Sequence, residues 1–168
     1  MKITLQRLGR TIAAVAVVTI GLIATSKAAN AQQLQFCDGP IGSWTYTVPQ
    51  GTAPAIHGVD TYSADGRYVT ADVIGGLFQT AGIGSWSCTG SNKWVLNFFT
   101  FVYDNTTGNQ IGTLEYQQTA TLSRDQESFT GAGQFKYYDT TGAAVGSGSY
   151  TITAKRIVAG SPLPAHLQ

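Results

Sequence analysis

The sequence has almost nothing from which to build a conventional catalytic or metal centre. It has two histidines, His57 and His166, and two cysteines, Cys37 and Cys88. Two cysteines with no neighbouring histidine make a poor zinc site, which takes four nitrogen or sulfur ligands. One histidine in the body of the chain and one in its tail cannot form a cluster. His57 could at most pair with Asp60, and no nucleophile elbow accompanies them. We therefore expect no metal, no cofactor and no catalytic set. Also missing is any apolar run of the ~20 residues that a membrane-spanning helix needs. The run from Ile12 to Thr25 has fourteen residues, and no acidic residue precedes Asp38.

What stands in place of a span reads as an export signal. Lys2, Arg7 and Arg10 precede the apolar run, and Ala29-Asn30-Ala31 follows it. This is the basic, apolar and small-x-small order of a signal peptide. Cleavage is expected after Ala31, leaving residues 32–168 as one β-barrel domain in a secreted or periplasmic location. A lipid anchor on Cys37 is disfavoured by the bulky Phe36 before it. Without residues 1–31, six Lys and Arg face nine Asp and Glu, a formal charge of −3. That balance argues against nucleic-acid binding, which needs a basic surface to displace counterions. In an oxidising compartment Cys37 and Cys88 are expected to form a disulfide.

The chain after Ala31 is rich in Thr, Ser, Gly, Tyr and Phe and poor in Lys, Glu and Leu. Those are strand and turn residues rather than helix formers. Eight strands are expected over 42–48, 55–62, 67–74, 83–88, 93–103, 111–122, 128–138 and 144–158. Turn signals separate them, among them Ala64-Asp65-Gly66 and the paired sequences Asp104 to Gly108 and Asp139 to Gly142. Leu114, Tyr116, Ala120 and Leu122 alternate with Glu115, Gln117, Thr119 and Thr121, the period of a sheet with one buried face. Sequential antiparallel strands with short links point to an eight-stranded up-and-down barrel, with a two-sheet sandwich as the alternative. The segment Lys93 to Tyr103, KWVLNFFTFVY, is apolar on both faces. Its outer face is therefore a candidate for self-association as a homo-oligomer.

Gly42-Ser43-Trp44 opens the first strand and Arg156 lies near the end of the last. This pair resembles the calycin superfamily, which includes the lipocalins. There a Gly-x-Trp and a basic residue close one end of a ligand-holding barrel. The resemblance implies that Trp44 and Arg156 meet, the guanidinium stacking over the indole. Gly84-Ser85-Trp86 repeats the motif and makes Trp86 the rival partner. The eight-stranded barrel of allene oxide cyclases and dirigent proteins is the second resemblance.

Three functions stay open on these grounds. The first is a carrier or binding protein for a small apolar or amphipathic molecule, held by Trp44, Trp86, Tyr116, Phe129, Gly133, Phe135, Tyr150 and Arg156. Within it, Gly131 and Gly133 are expected to leave a hollow between Phe129 and Phe135, with Arg156 meeting an acid or carbonyl on the ligand. The second is a barrel enzyme of the cyclase or isomerase kind. The third is a filled barrel acting at a surface.

Overall fold

A computed structural model of the chain describes residues 37–73 and 78–160. The expected signal and the tail after Gly160, with His166, lie outside them. Every regular element among the described residues is a strand: β1 (Gly42–Gln50), β2 (Ala53–Tyr62), β3 (Arg67–Val73), β4 (Phe78–Gln79), β5 (Gly82–Gly90), β6 (Lys93–Tyr103), β7 (Gln110–Leu122), β8 (Ser128–Asp139) and β9 (Ala144–Arg156). Among the described residues no helix is long and apolar enough to cross a membrane.

The strands form a closed, eight-stranded, antiparallel up-and-down barrel. Its order is β1-β2-β3-β5-β6-β7-β8-β9, and β9 pairs back onto β1 through Trp44↔Arg156 to Thr47↔Thr153. Each of the eight long strands is paired on both sides, and a sandwich is excluded. The short β4, absent from the sequence reading, pairs with the same edge of β6 as β5 does. Between them the Thr80 hydroxyl accepts the Phe101 N–H at 3.1 Å. β4 and β5 are thus one interrupted strand, broken where a side chain takes a main-chain carbonyl's place.

Hairpin chemistry follows the turn signals. Asp104 Oδ1 accepts the amides of Thr106 and Thr107 at 2.9 and 2.7 Å, and Gly108 takes φ +68°. Asp139 Oδ1 does the same for Thr141 and Ala143 at 2.8 and 3.1 Å, with Gly142 at φ +84°. The two related sequences build related turns, both at the end of the barrel where β1 finishes and β2 begins. We call this the open end.

The other end is packed solid. Trp44, Trp94, Tyr62 and Phe129 are buried there. Phe129 meets the rings of Trp44 and Trp94 edge-on, each at 5.2 Å between centroids. Such pairs contribute about 0.5–1.5 kcal/mol each beyond burial. The Arg156 guanidinium lies 4.2 Å from the centre of the Trp44 ring. It donates from Nε to the Gln126 carbonyl at 2.8 Å and from Nη1 to that of Ile41 at 2.9 Å. Trp86 is not its partner: that ring covers Gly39, and its indole N–H donates to the Ser63 carbonyl at 3.1 Å.

Residues Cys37 to Ile41 close this end from outside. The Pro40 carbonyl accepts the Trp44 indole N–H at 2.6 Å, and the Asp38 amide donates to Ser91 at 2.9 Å. Cys37 is bonded to Cys88 on β5, their Cα atoms 6.0 Å apart. The disulfide fits an oxidising, extracellular-type environment.

Two stability changes are expected. Replacing both cysteines by alanine opens a loop spanning 51 positions, which costs about 4 kcal/mol by chain entropy. Urea unfolding monitored by tryptophan fluorescence measures it. Arg156→Ala removes two charge-assisted hydrogen bonds and the stacked cation, and should cost about 2 kcal/mol in the same assay.

Candidate functional site

Toward the open end the barrel is hollow. A cavity of about 640 Å³ lies inside it, within the size range of small-molecule sites. Its walls come from Val48, Ile56, Val102, Ile111, Leu114 and Ile152 and from the rings of Phe98, Tyr116, Phe135, Tyr137 and Tyr150. Exposed Gln50, Gly146 and Ser147 sit at its mouth.

The reason an aromatic-rich barrel stays hollow is visible in the strand register. Tyr46 stands opposite Gly58, Tyr150 opposite Gly133 and Phe135 opposite Gly148. In each pair the ring lies over the glycine, so that a Cβ there would come within 2.5–2.7 Å of ring atoms. Tyr137 covers Gly112 in the same way, one step along the ladder. Rings laid flat along the wall leave the lumen free. This corrects one expectation. The space beside Gly131 and Gly133 is not a hollow: Ile152 and Tyr150 occupy it. The cavity lies further toward the open end.

Of the residues expected to bind a ligand, Tyr116, Phe135 and Tyr150 line the cavity. Trp44, Trp86, Phe129 and Arg156 are not among its lining and belong to the packed end. Gly133 lies beneath Tyr150. Arg156 is therefore no polar contact for a ligand in this cavity, because it lies at the packed end with two of its donors on carbonyls and its face on Trp44. His57 cannot work with Asp60 either. Asp60 points into the barrel with Gly58 and Tyr62, whereas His57, one position out of phase, meets Thr47 Oγ1 at 3.1 Å on the outside.

The polar floor of the cavity was missed. It consists of Asp72, Tyr46, Tyr68 and Gln118, with Asp60 fully buried behind them. Tyr46 donates its hydroxyl to Asp72 Oδ2 at 2.8 Å, and Thr70 donates to the Tyr46 oxygen at 3.4 Å. Tyr68 donates to Asp60 Oδ1 at 2.6 Å, and Tyr150 to Gln118 Oε1 at 3.1 Å. Asp60 Oδ2 and Gln118 Nε2 have no partner. Nor do the Tyr62 hydroxyl and the Trp94 indole N–H; Tyr62 lies close to Trp94 and Gln118 without closing a bond to either.

Burial governs the charge of these groups. It pushes the Asp60 carboxyl up to about 7 even though Tyr68 donates to it. Burial raises Asp72 as well, against the Tyr46 hydrogen bond. The hydroxyls of Tyr46, Tyr68, Tyr116 and Tyr150 are raised by burial and then by neighbouring carboxylates or tyrosines, and so stay protonated. Among the described residues no three His, Cys, Asp or Glu side chains cluster as metal ligands.

No protein-family model matches the sequence, and no curated protein does. The cavity's own chemistry therefore carries the functional argument.

The Asp60 carboxyl leads to a pH prediction. Its folded pKa of about 7 lies above the ordinary value of 3.8. Between those values the folded state holds a proton that the unfolded state has lost, so stability falls as pH rises. Thermal melts should show the midpoint dropping from pH 5 to pH 8, and Asp60→Asn should remove most of that slope. The turn residues Asp65, Asp104, Asp125 and Asp139, whose pKa values are lowered, act only at more acidic pH.

Proposed function

We propose that this is an exported binding protein that holds one small, largely apolar molecule in its barrel, polar end down. The observation that carries the reading is the cavity of about 640 Å³, apolar along its walls and polar at its floor. That division orients an amphipathic guest: hydrocarbon gains by leaving water against the walls, and a polar end gains only where the floor offers partners. Export through a signal cleaved after Ala31 accords with the disulfide. The Gly42-Ser43-Trp44 and Arg156 pairing supports a calycin-like placement of the packed end, with the ligand at the other. An apolar row across the outer wall, with exposed Val69, Ile83 and Phe99 in register on β3, β5 and β6, is the candidate face for self-association.

A second reading, a cyclase or isomerase, is favoured by one observation. A carboxyl poised near 7 behind a cavity is suited to general acid–base work. Recovery of a host-derived ligand separates the two readings: a carrier returns it unchanged after incubation, an enzyme returns an isomer. The cavity argues against a barrel that acts only as a filled surface.

Gly146 provides the test. It lines the mouth, and a Cβ there would meet only Tyr137, at an ordinary 3.8 Å. Gly146→Phe should therefore fold normally by circular dichroism and reduce uptake of the neutral fluorescent probe N-phenyl-1-naphthylamine at least tenfold. Gly133→Leu should instead displace the Tyr150 ring and lower the melting temperature. A folded Gly146→Phe variant that takes up the probe like the wild type would refute binding in this cavity.

A further inference from the structure

The polar floor contains more than a generic hydrogen-bonding surface, because every charge it carries has one sign. Among the described residues, Asp72 is the one aspartate, glutamate, lysine, arginine or histidine lining the cavity. The second carboxyl, Asp60, is fully buried just behind, with Oδ2 unpartnered. The groups facing this floor from each neighbouring strand are Tyr46 from β1, Asp60 and Tyr62 from β2, Tyr68 from β3 itself, Phe98 from β6, Tyr116 and Gln118 from β7, and Tyr150 from β9. No cation stands among them. The Arg156 guanidinium is committed to the packed end.

An anionic ligand head would meet two carboxyls in a low-dielectric site with no counter-charge, which is strongly unfavourable. A cation would meet the reverse. It would find the carboxylate of Asp72 and a surround of electron-rich ring faces: Phe98 and Tyr116 stacked at 4.4 Å, Tyr68 at 5.0 Å from Phe98 and Tyr150 at 6.0 Å from Tyr116. Carboxylate and aromatic faces together are how proteins hold desolvated ammonium groups. The buried, unpartnered side chains support a ligand end reaching this depth. Asp60 Oδ2, fully buried behind the cavity lining, is an acceptor without a donor, which an ammonium N–H would supply, and Gln118, 2 % exposed and lining the cavity, has an unpartnered atom of its own in Nε2.

We propose that the occupant is an amphipathic amine, its protonated nitrogen held by Asp72 among the aromatic rings and its hydrocarbon portion against the apolar wall. The assignment rests on the cavity-binding reading and replaces the acid or carbonyl expected from Arg156. It has a consequence for pH. A cation at the floor stabilises both carboxylates, so binding at neutral pH releases a proton from Asp60, whose carboxyl burial holds at about 7. Amine affinity then falls as the pH drops and the carboxyls protonate, while the affinity of an uncharged analogue does not.

The test uses the exported chain with its disulfide intact and displacement of N-phenyl-1-naphthylamine by octylamine, 1-octanol and octanoate at pH 7.5. Octylamine should compete at least tenfold better than octanol, and octanoate worst. The amine preference should shrink several-fold between pH 8 and pH 6. In Asp72→Asn, checked for cooperative unfolding, the octylamine-to-octanol ratio should fall to within threefold of one, and Asp72→Glu should keep it. If the probe binds but octylamine competes no better than octanol, or octanoate competes best, the amine assignment is overturned while cavity binding stands. If the probe does not bind the wild-type protein at all, the cavity-binding reading falls and the amine assignment with it.

Discussion

A large ring entering an eight-stranded barrel has two places to go, across the lumen or flat against the wall. A barrel of this strand number is only just wide enough to be filled by side chains or to hold one small guest, so the choice decides what the molecule is. Here glycine makes it. Opposite Tyr46, Tyr150 and Phe135 the paired residue has no side chain, and each ring lies down over that gap. The ring regains contact with backbone that glycine would leave bare, the stabilising effect known for aromatic residues beside strand glycines. The lumen is left open as a by-product of good wall packing.

That arrangement divides the barrel along its axis. At the packed end the inward rings face Phe129, Ala120 and Ala154 rather than open lumen, and meet edge to edge. Arg156, the lead from Cys37 to Ile41 and the disulfide then hold that end shut. The carboxyls lie between the two regimes. Their cost in desolvation is offset in part by the hydroxyls of Tyr46 and Tyr68, which donate to them.

Much of this was legible in the sequence. Strand number, closure and the pairing of Cys37 with Cys88 follow from patterns of period two, turn residues and a lone pair of cysteines, whereas the meeting of Trp44 with Arg156 was what the calycin resemblance implied. β4 was not legible, because two residues have no period. The cavity was foreseen for a partly wrong reason. Glycines in β8 were read as missing volume, whereas a ring from the adjacent strand supplies it, and no single-strand pattern shows what lies across a ladder. The floor could have been found. Asp60, Asp72 and Gln118 share the inward phase of Tyr62, Tyr68 and Tyr116. A polar residue in phase with buried aromatics is a stronger signal than the turn aspartates around it.

The hairpins at the open end have a bearing on how such a molecule changes over time. Asp104 and Asp139 each satisfy the amides of their own turn, so neither turn depends on the other or on the barrel beneath for its shape. Loops that are conformationally self-sufficient can be exchanged without disturbing the strands they join. The rim is therefore a place where sequence drift alters what may enter while the enclosed chamber keeps its dimensions: a fixed vessel under an interchangeable collar.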